Sequence, residues 1–289
     1  MNVFKMTLYV ATLGVFTSLI LSCGQQPAAK ADQPRVKDTV TTEHKSTSIR
    51  PVHWGYEGDS GPSSWSTLSP TYALCAEGKQ QSPINILKSD VQGGKSWKLD
   101  YKSTSFHVAH TEHMEGIVDN GHTIQVNVDD GSTLTFDGKI YTLKQFHFHT
   151  PSEHTFDGKH QPMEMHLVHQ SEDGSLAVIG VLIKVGKEPN PSFEKIIANL
   201  PGGKGESKHF TDESIDLKFN LKDNSFAYHY VGSLTTPPCS ENVQWLVLRE
   251  MLSLTVEQID AFSSRIAPNN RPTQEMNERT IQPVKLNTK

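Results

Sequence analysis

Hydrophobic and polar residues alternate along the middle of the chain. The alternation runs over residues 123–128 and again over 132–136. A period of two is typical of β-strands that bury one face. Asp137-Gly138 follows the second run and predicts a tight hairpin turn into a third strand at 139–143, because residues that tolerate positive φ favour such turns.

Two further runs, at 176–185 and 243–248, are apolar almost without interruption. Runs of this kind predict strands that are buried on both faces. Helical patterns are few and lie at 191–200 and 255–266. The fold class is therefore predicted as mainly β (α+β), with a large, mostly antiparallel twisted central sheet and a few peripheral helices.

The composition is that of an ordinary globular protein. Of 289 residues, 35% are hydrophobic and 20% are charged, which leaves enough apolar material for a substantial core. The net charge is −5, and no basic stripe is present to neutralise phosphates. Nucleic acid is therefore not expected as a partner.

The N-terminus has the pattern of an export signal. An uncharged, mostly apolar run follows Lys5 and extends from Met6 to Leu21. It is shorter than the roughly 20 residues that a transmembrane helix needs and fits the h-region of a signal peptide. Ile20–Gly24 resembles a bacterial lipobox, in which Cys23 is lipidated after residues 1–22 are removed. We expect a periplasmic or cell-surface protein with this lipid as its membrane contact; simple secretion and an uncleaved anchor are the alternatives.

Residues 23–50 are rich in Ala, Gln, Thr, Ser, Lys and Pro and carry almost no large apolar side chain. Such a segment cannot bury enough surface to fold and is expected to be a flexible tether. The folded domain is then 51–289. Its cysteines, Cys75 and Cys239, form an even pair in an exported chain, which predicts a disulfide; two buried free thiols are the alternative.

Three histidines have the spacing of a metal site. His147 and His149 alternate within Gln-Phe-His-Phe-His, and His166 lies in a later strand pattern. Because residues i and i+2 of a strand point to the same face, the first two rings share one face. Three nitrogen ligands leave one corner of a tetrahedron open, which distinguishes a catalytic zinc site from a structural one.

Polar residues that could orient these rings stand two positions before them. Gln145 precedes His147, and Glu164 precedes His166, each on the same strand face as its histidine. A metal-bound imidazole usually donates its second N–H to such an acceptor. His169 points to the opposite face of its strand and is excluded as a ligand.

The first two histidines also fit a different class of metal site. Together with Glu153 they resemble the first motif of cupins, which bind iron or manganese. That motif expects a glycine where this chain has His160, and the Pro-x-Gly expected before the final ligand is absent before His166. These departures disfavour the cupin interpretation.

A series of motifs in a fixed order resembles the α-class carbonic anhydrases, from about His53 to the C-terminus. The motifs are His53–Tyr56, Gln81–Ile86, Asn120–His122, Gln145–His149, Ser152–Thr155, Glu164–His169, Leu176–Val181, Gly232–Cys239 and Asn269–Pro272. The resemblance implies the fold of that family and the reversible hydration of carbon dioxide to bicarbonate and a proton. It also implies Zn²⁺ on the three histidines and a zinc-bound hydroxide as nucleophile; carbonic anhydrase is itself the reference example of this chemistry.

The resemblance also assigns roles to single residues. Thr235 is expected to donate to Glu153 and to orient the nucleophile, and His122 matches the proton shuttle, a role suited to a side chain that titrates near neutral pH. Asn269 is expected to offer a carbonyl oxygen to His149. The substrate pocket is expected to comprise Val168, Val178, Leu234, Thr236, Val243 and Trp245.

The function and the assembly of this chain each keep an alternative. A non-catalytic binding module of the same fold is the alternative function, although members of that kind usually lack one or more zinc histidines. The small-molecule substrate is the expected partner, and a homodimer is left open as the assembly.

Overall fold

The computed structural model describes residues 52–87, 96–100, 103–111, 122–204, 207–219 and 225–288. The predicted signal peptide, the tether and Cys23 lie outside these residues. Among the helices within them, none has both the length and the apolar character that crossing a membrane would require.

Strands dominate the described part of the chain. In chain order they are β1 (Asn85–Ile86), β2 (Ser96–Asp100), β3 (Ser103–Thr111), β4 (Thr123–Val128), β5 (Thr133–Phe136), β6 (Lys139–His149), β7 (Thr155–Phe156), β8 (Met163–Gln170), β9 (Leu176–Val185), β10 (Ser207–Asp216), β11 (Phe226–Ser233), β12 (Glu241–Leu248), β13 (Leu252–Leu254) and β14 (Gln282–Thr288).

The helices are short. They are α1 (Trp65–Leu68), α2 (Leu74–Glu77), α3 (Pro191–Ala198) and α4 (Val256–Ile266), with single 3-10 turns at Gly58–Ser60 and Pro70–Tyr72. The Thr255 side chain begins α4 by accepting from the Gln258 N–H, in a reciprocal capping box. Helix α3 ends two residues before the predicted boundary, because Asn199 leaves helical dihedrals (φ −114°, ψ 12°).

Twelve of the described strands form one sheet around β6. Strand β6 pairs with β5 and β4 along one edge and with β8 along the other. Most pairings are antiparallel, but β9 runs parallel to β12 and β13, and β14 runs parallel to β2. The predicted mainly-β fold is confirmed. The sheet is mixed, with some parallel pairs, and the hydrophobic pattern of a strand does not determine its direction relative to its neighbours.

A bulge in β6 decides which side chains reach the site. The register against β8 shifts between Leu143 and Gln145. Before the shift, Tyr141 and Leu143 face the main core; after it, residues of the other parity, Phe146 and Phe148, do so. A bulge of this kind re-aims side chains. The strand predicted at 139–143 therefore continues to His149. After the bulge, even-numbered instead of odd-numbered residues face the core.

The two faces of the sheet have different neighbours at this point. Behind β6, Phe148 packs against Phe193 of α3 and Phe262 of α4, with ring centroids 5.7 and 4.5 Å away. On the other face, a smaller cluster that includes Val178 and Trp245 borders a cavity. The helices thus support the sheet from behind, and its histidines face the cavity.

Candidate metal centre

Strands β6 and β8 bring the three predicted histidines together. His147 pairs directly with His166 across the two strands, and all three rings are buried. The ring centroids lie 5.2 Å apart for His147 with either partner and 4.5 Å apart for His149 with His166. One nitrogen from each ring lies within 4.8 Å of the others. The three side chains therefore converge on one point.

Each ring is oriented by an acceptor on its second nitrogen. The pairs are His147 Nδ1 with Gln145 Oε1 at 2.8 Å, His149 Nδ1 with Asn269 O at 2.7 Å, and His166 Nε2 with Glu164 Oε1 at 2.9 Å. Because all three partners are oxygen acceptors, the ring nitrogen must donate, and the remaining nitrogen carries the lone pair. The nitrogens left to bind a metal are thus Nε2, Nε2 and Nδ1, a donor set that suits Zn²⁺.

The surroundings keep two of these rings, His149 and His166, neutral. Burial lowers the pKa of His149 to about 3, with a further decrease from the neighbouring His166. Burial also lowers the pKa of His166 below its ordinary value. A neutral imidazole is the form that binds metal, so this environment favours ligation near neutral pH.

Glu164 is the acceptor on which several of these groups depend. Oε2 accepts from the backbone N–H groups of Glu153 and His154 at 2.9 and 2.8 Å, and Oε1 accepts from the rings of His154 and His166 at 2.7 and 2.9 Å. Burial opposes ionisation of this carboxyl, but the two histidines hold its pKa well below its usual range. Glu164 is therefore a carboxylate with four donors.

Glu153 and Thr235 lie together beside the histidines. Glu153 is fully buried and its carboxylate accepts from the Thr235 hydroxyl and, at 2.8 Å, from the Arg271 N–H. Its Oε2 lies 3.5 Å from His149 Nε2 and 3.9 Å from His166 Nδ1, the two nitrogens that face the metal position. Burial holds the pKa of this carboxyl well above its usual range, although both hydrogen bonds lower it. A cation at the metal position would also favour the charged form.

A cavity of about 320 Å³ opens in front of His147 and His166. Its lining includes every residue predicted for the substrate pocket, namely Val168, Val178, Leu234, Thr236, Val243 and Trp245. Thr235 and Gln145 line it as well. An apolar wall next to three ring nitrogens can hold a small, uncharged molecule beside a metal ion.

His122 lies apart from this group. It is not among the residues that line the cavity. Its half-buried ring packs on Trp54, with centroids 3.9 Å apart, and lies 5.7 Å from Tyr56 and 6.1 Å from His53. Its carbonyl accepts a 2.9 Å hydrogen bond from the Asn269 side chain. Asn269 therefore links the backbone of His122 to the ring of His149.

Cys75 and Cys239 are joined by a disulfide bond that spans 164 positions of sequence. Cys239 follows the segment Thr235–Pro238, which lines the cavity. The carbonyl of Cys75 accepts from Arg271 Nη2 at 2.7 Å. The bridge thus attaches the Thr235 segment to the α2 region.

The structure shows three further residues with contacts at the site that the motifs did not indicate, namely Arg271, Tyr230 and Ser82. Arg271 is only 2% exposed, and its Nη1 donates to Gln81 and to the carbonyl of Ser82 at 2.9 and 2.8 Å. Tyr230 and Ser82 hydrogen-bond to each other behind His154. Each contact joins residues that are far apart in sequence, so no local pattern could indicate it.

Comparisons with known proteins agree with this geometry. A family model described as eukaryotic-type carbonic anhydrase matches residues 60–286. The chain is 41% identical over 231 residues to a carbonic anhydrase of Pectobacterium carotovorum, covering 80% of this chain and 90% of that protein. It is 40% identical over 235 residues to one of Nostoc sp., covering 80% and 85%.

The chain is also similar to carbonic anhydrases of known structure. The α-carbonic anhydrase of Thermovibrio ammonificans, determined in complex with the inhibitor sulfanilamide, superposes with a TM-score of 0.74 at 42% identity. The match covers 81% of this chain and all of that chain. Sequence, fold and the three-histidine arrangement therefore lead to one conclusion: the chain belongs to the eukaryotic-type, or α-class, carbonic anhydrase family.

Proposed function

We propose that this protein is a zinc enzyme that reversibly hydrates carbon dioxide to bicarbonate and a proton. The observation that carries the proposal is the set of three buried imidazoles, each held by an acceptor so that its other nitrogen faces one point. Membership of the carbonic anhydrase family supports the same reaction.

His147, His149 and His166 would hold the ion, and the donor set fits Zn²⁺. When bound, the ion supplies a water whose pKa is lowered to about 7, an effect for which carbonic anhydrase is the reference case. A nucleophile is then available at neutral pH, where free hydroxide is scarce.

The remaining residues orient the reactants. Because the Thr235 hydroxyl gives its proton to Glu153, its oxygen is left to accept from a water in the cavity. That water is thereby held with a lone pair toward the apolar wall. Val178, Val243 and Trp245 in that wall suit carbon dioxide, which is uncharged and poorly hydrated.

We assign the release of the proton to His122. A histidine titrates near neutral pH and can accept a proton and pass it to buffer. Its ring is half-buried beside Trp54 and does not line the cavity, so ordered water would have to connect it to the reacting centre. The non-catalytic alternative has no comparable support, because the three histidines, Thr235 and Glu153 are all present.

We also propose that the chain is exported and anchored through Cys23, with residues 23–50 as a tether to the domain from 51 onward. The support is the sequence of the N-terminus. Metabolic labelling with a radioactive fatty acid tests it: the native chain should be labelled and Cys23→Ser should not, and equal labelling of both would reject the anchor.

Stopped-flow hydration of carbon dioxide, with zinc measured on the same samples, tests the reaction. The native protein should hold one zinc per chain, lose activity to a chelator and be inhibited by sulfanilamide. His147→Gln and His166→Gln should lose zinc and activity together. His169→Gln is the matched control, since His169 is a buried histidine of the same strand β8 that bonds to the Ala177 carbonyl instead. A native protein that holds zinc and does not hydrate carbon dioxide would refute the proposal.

A further inference from the structure

A chain of buried hydrogen bonds runs from His166 to the far side of the site. His166 Nε2 and His154 Nδ1 both contact Glu164 Oε1, at 2.9 and 2.7 Å. His154 Nε2 lies 2.7 Å from the Tyr230 hydroxyl, which lies 2.8 Å from Ser82 Oγ. All five residues are at most 1% exposed. Bulk solvent therefore does not compete for these hydrogen bonds.

The donors in this chain all point the same way. The Ser233 N–H donates to Ser82 Oγ at 3.1 Å, and that oxygen lies 2.8 Å from the Tyr230 hydroxyl. Because Glu164 only accepts, His154 Nδ1 must donate to it, and Nε2 is the ring nitrogen that accepts from the Tyr230 hydroxyl. Since this uses the single proton of Tyr230, its oxygen must accept from Ser82. Every link thus directs a proton toward the carboxylate that orients His166.

Two glycines leave the room that this arrangement needs. A Cβ on Gly232 would overlap Ser82 Oγ and lie 2.7 Å from Tyr230 Cε2. A Cβ on Gly180, which pairs with His166, would lie 2.9 Å from Glu164 Oε1. Glycine at these two positions therefore leaves space for the side chains of Ser82, Tyr230 and Glu164.

We propose that Tyr230 is a positioning residue for the metal ligand His166, acting through His154 and Glu164. This inference rests on the proposed zinc site. The Tyr230 proton holds Nε2 of His154 while Nδ1 donates to Glu164, His154 keeps one oxygen of Glu164 turned toward His166, and that oxygen holds the ring with Nδ1 facing the metal. Tyr230 itself touches neither substrate nor ion.

Tyr230→Phe removes the hydroxyl and keeps the ring. His154 Nε2 then loses its donor, and the orientation of Glu164 is less strictly held. We expect zinc affinity to fall by about tenfold, the lower end of what is seen when an outer-sphere partner is removed, with a matching rise in the rate of zinc loss to a chromogenic chelator. Tyr228→Phe, two residues earlier on β11, is the matched control and should release zinc at the native rate.

Nitrogen NMR of labelled histidines gives a readout that a purely structural role would not change. The native protein should show His154 protonated on Nδ1 and His166 on Nε2, and Tyr230→Phe should alter the His154 signals first. If the hydroxyl only stabilised the fold, the melting temperature of the zinc-free protein would fall while zinc release and the histidine spectrum stayed native. That result would overturn the proposal.

A second variant covers the case in which Tyr230→Phe does not fold. Ser82→Ala removes the donor to Tyr230 and leaves the Tyr230–His154 bond in place. It should speed zinc release by a smaller factor than Tyr230→Phe. If Tyr230→Phe does not fold, a native rate of zinc release in Ser82→Ala would overturn the proposal. Failure of the zinc site itself is seen separately. A native chain that takes up no zinc refutes both proposals, whereas a native zinc site with unchanged variants refutes only this one.

Discussion

The backbone N–H of Arg271 donates a 2.8 Å hydrogen bond to Oε1 of Glu153 across 118 positions of sequence. The bond fixes one carboxylate oxygen of a fully buried residue, and the Thr235 hydroxyl donates to the same carboxylate. Glu153 therefore has a single orientation, with Oε2 toward the metal-facing nitrogens of His149 and His166.

Glu153→Gln should reduce carbon dioxide hydration while zinc is retained. The amide can donate as well as accept, so it no longer forces the Thr235 proton away from the cavity. We expect kcat/KM to fall by about 100-fold, within the range for loss of a positioned catalytic hydrogen bond. Stopped-flow rates and zinc content measure this, with Glu241→Gln, which replaces a carboxyl that lines the cavity, as the control. Native activity in Glu153→Gln would rule out the assigned role.

Arg271→Met should destabilise the fold. The guanidinium donates to three buried oxygens, those of Gln81, Ser82 and Cys75, and methionine leaves them without that donor. Since each unsatisfied buried group costs about 1–3 kcal/mol, we expect a loss of at least about 3 kcal/mol in unfolding free energy. Urea unfolding measures it. Arg249→Met removes an exposed arginine with a 3.4 Å contact to Glu250 and should change stability by less than about 0.5 kcal/mol.

The metal ligands could be predicted from the sequence because strand geometry is local. A period of two places His147 and His149 on one face whatever the rest of the chain does. The position of His166 directly opposite His147 depends on the register of β6 with β8. That register, and the bulge after Leu143, are set by packing between strands, which no single pattern encodes.

The supporting contacts of the site could not be predicted in the same way. Tyr230 meets His154 across 76 positions and Ser82 across 148. A tyrosine within an alternating strand is compatible with ordinary core packing, so its hydroxyl contacts emerge only when β11 lies beside the site. The export signal and the lipid anchor at Cys23 stay predictions, since they fall outside the described residues.

Loss of the disulfide should lower stability. The bond between Cys75 and Cys239 closes a long loop, and removing a native disulfide typically costs about 2–5 kcal/mol. Replacing both cysteines with alanine should give this loss in urea unfolding. Reductant should destabilise the native protein and leave the double variant unchanged, and a native protein insensitive to reductant under unfolding conditions would contradict the expectation.

His169 should make stability depend on pH. Burial lowers its pKa to about 4, although the Ala177 and Leu167 carbonyls raise it, whereas an unfolded histidine titrates near 6.5. As pH falls below about 6.5, the unfolded chain binds the proton first, so unfolding free energy decreases by about 1.4 kcal/mol per pH unit until about pH 4. His169→Gln should reduce that slope by one proton. Parallel pH profiles for the two proteins would show that His169 titrates normally in the fold.

His122→Ala should slow proton release and leave the chemistry of carbon dioxide intact. In weak buffer we expect kcat to fall by about 10- to 100-fold, since one general base is lost, while kcat/KM changes little. Added imidazole should restore the rate by replacing the missing ring. His53→Ala is the matched control, because His53 is exposed and its ring lies 6.1 Å from that of His122. It should retain the native rate in weak buffer. If His122→Ala lost no activity and did not respond to imidazole, the proton would have to leave by a route that does not involve His122.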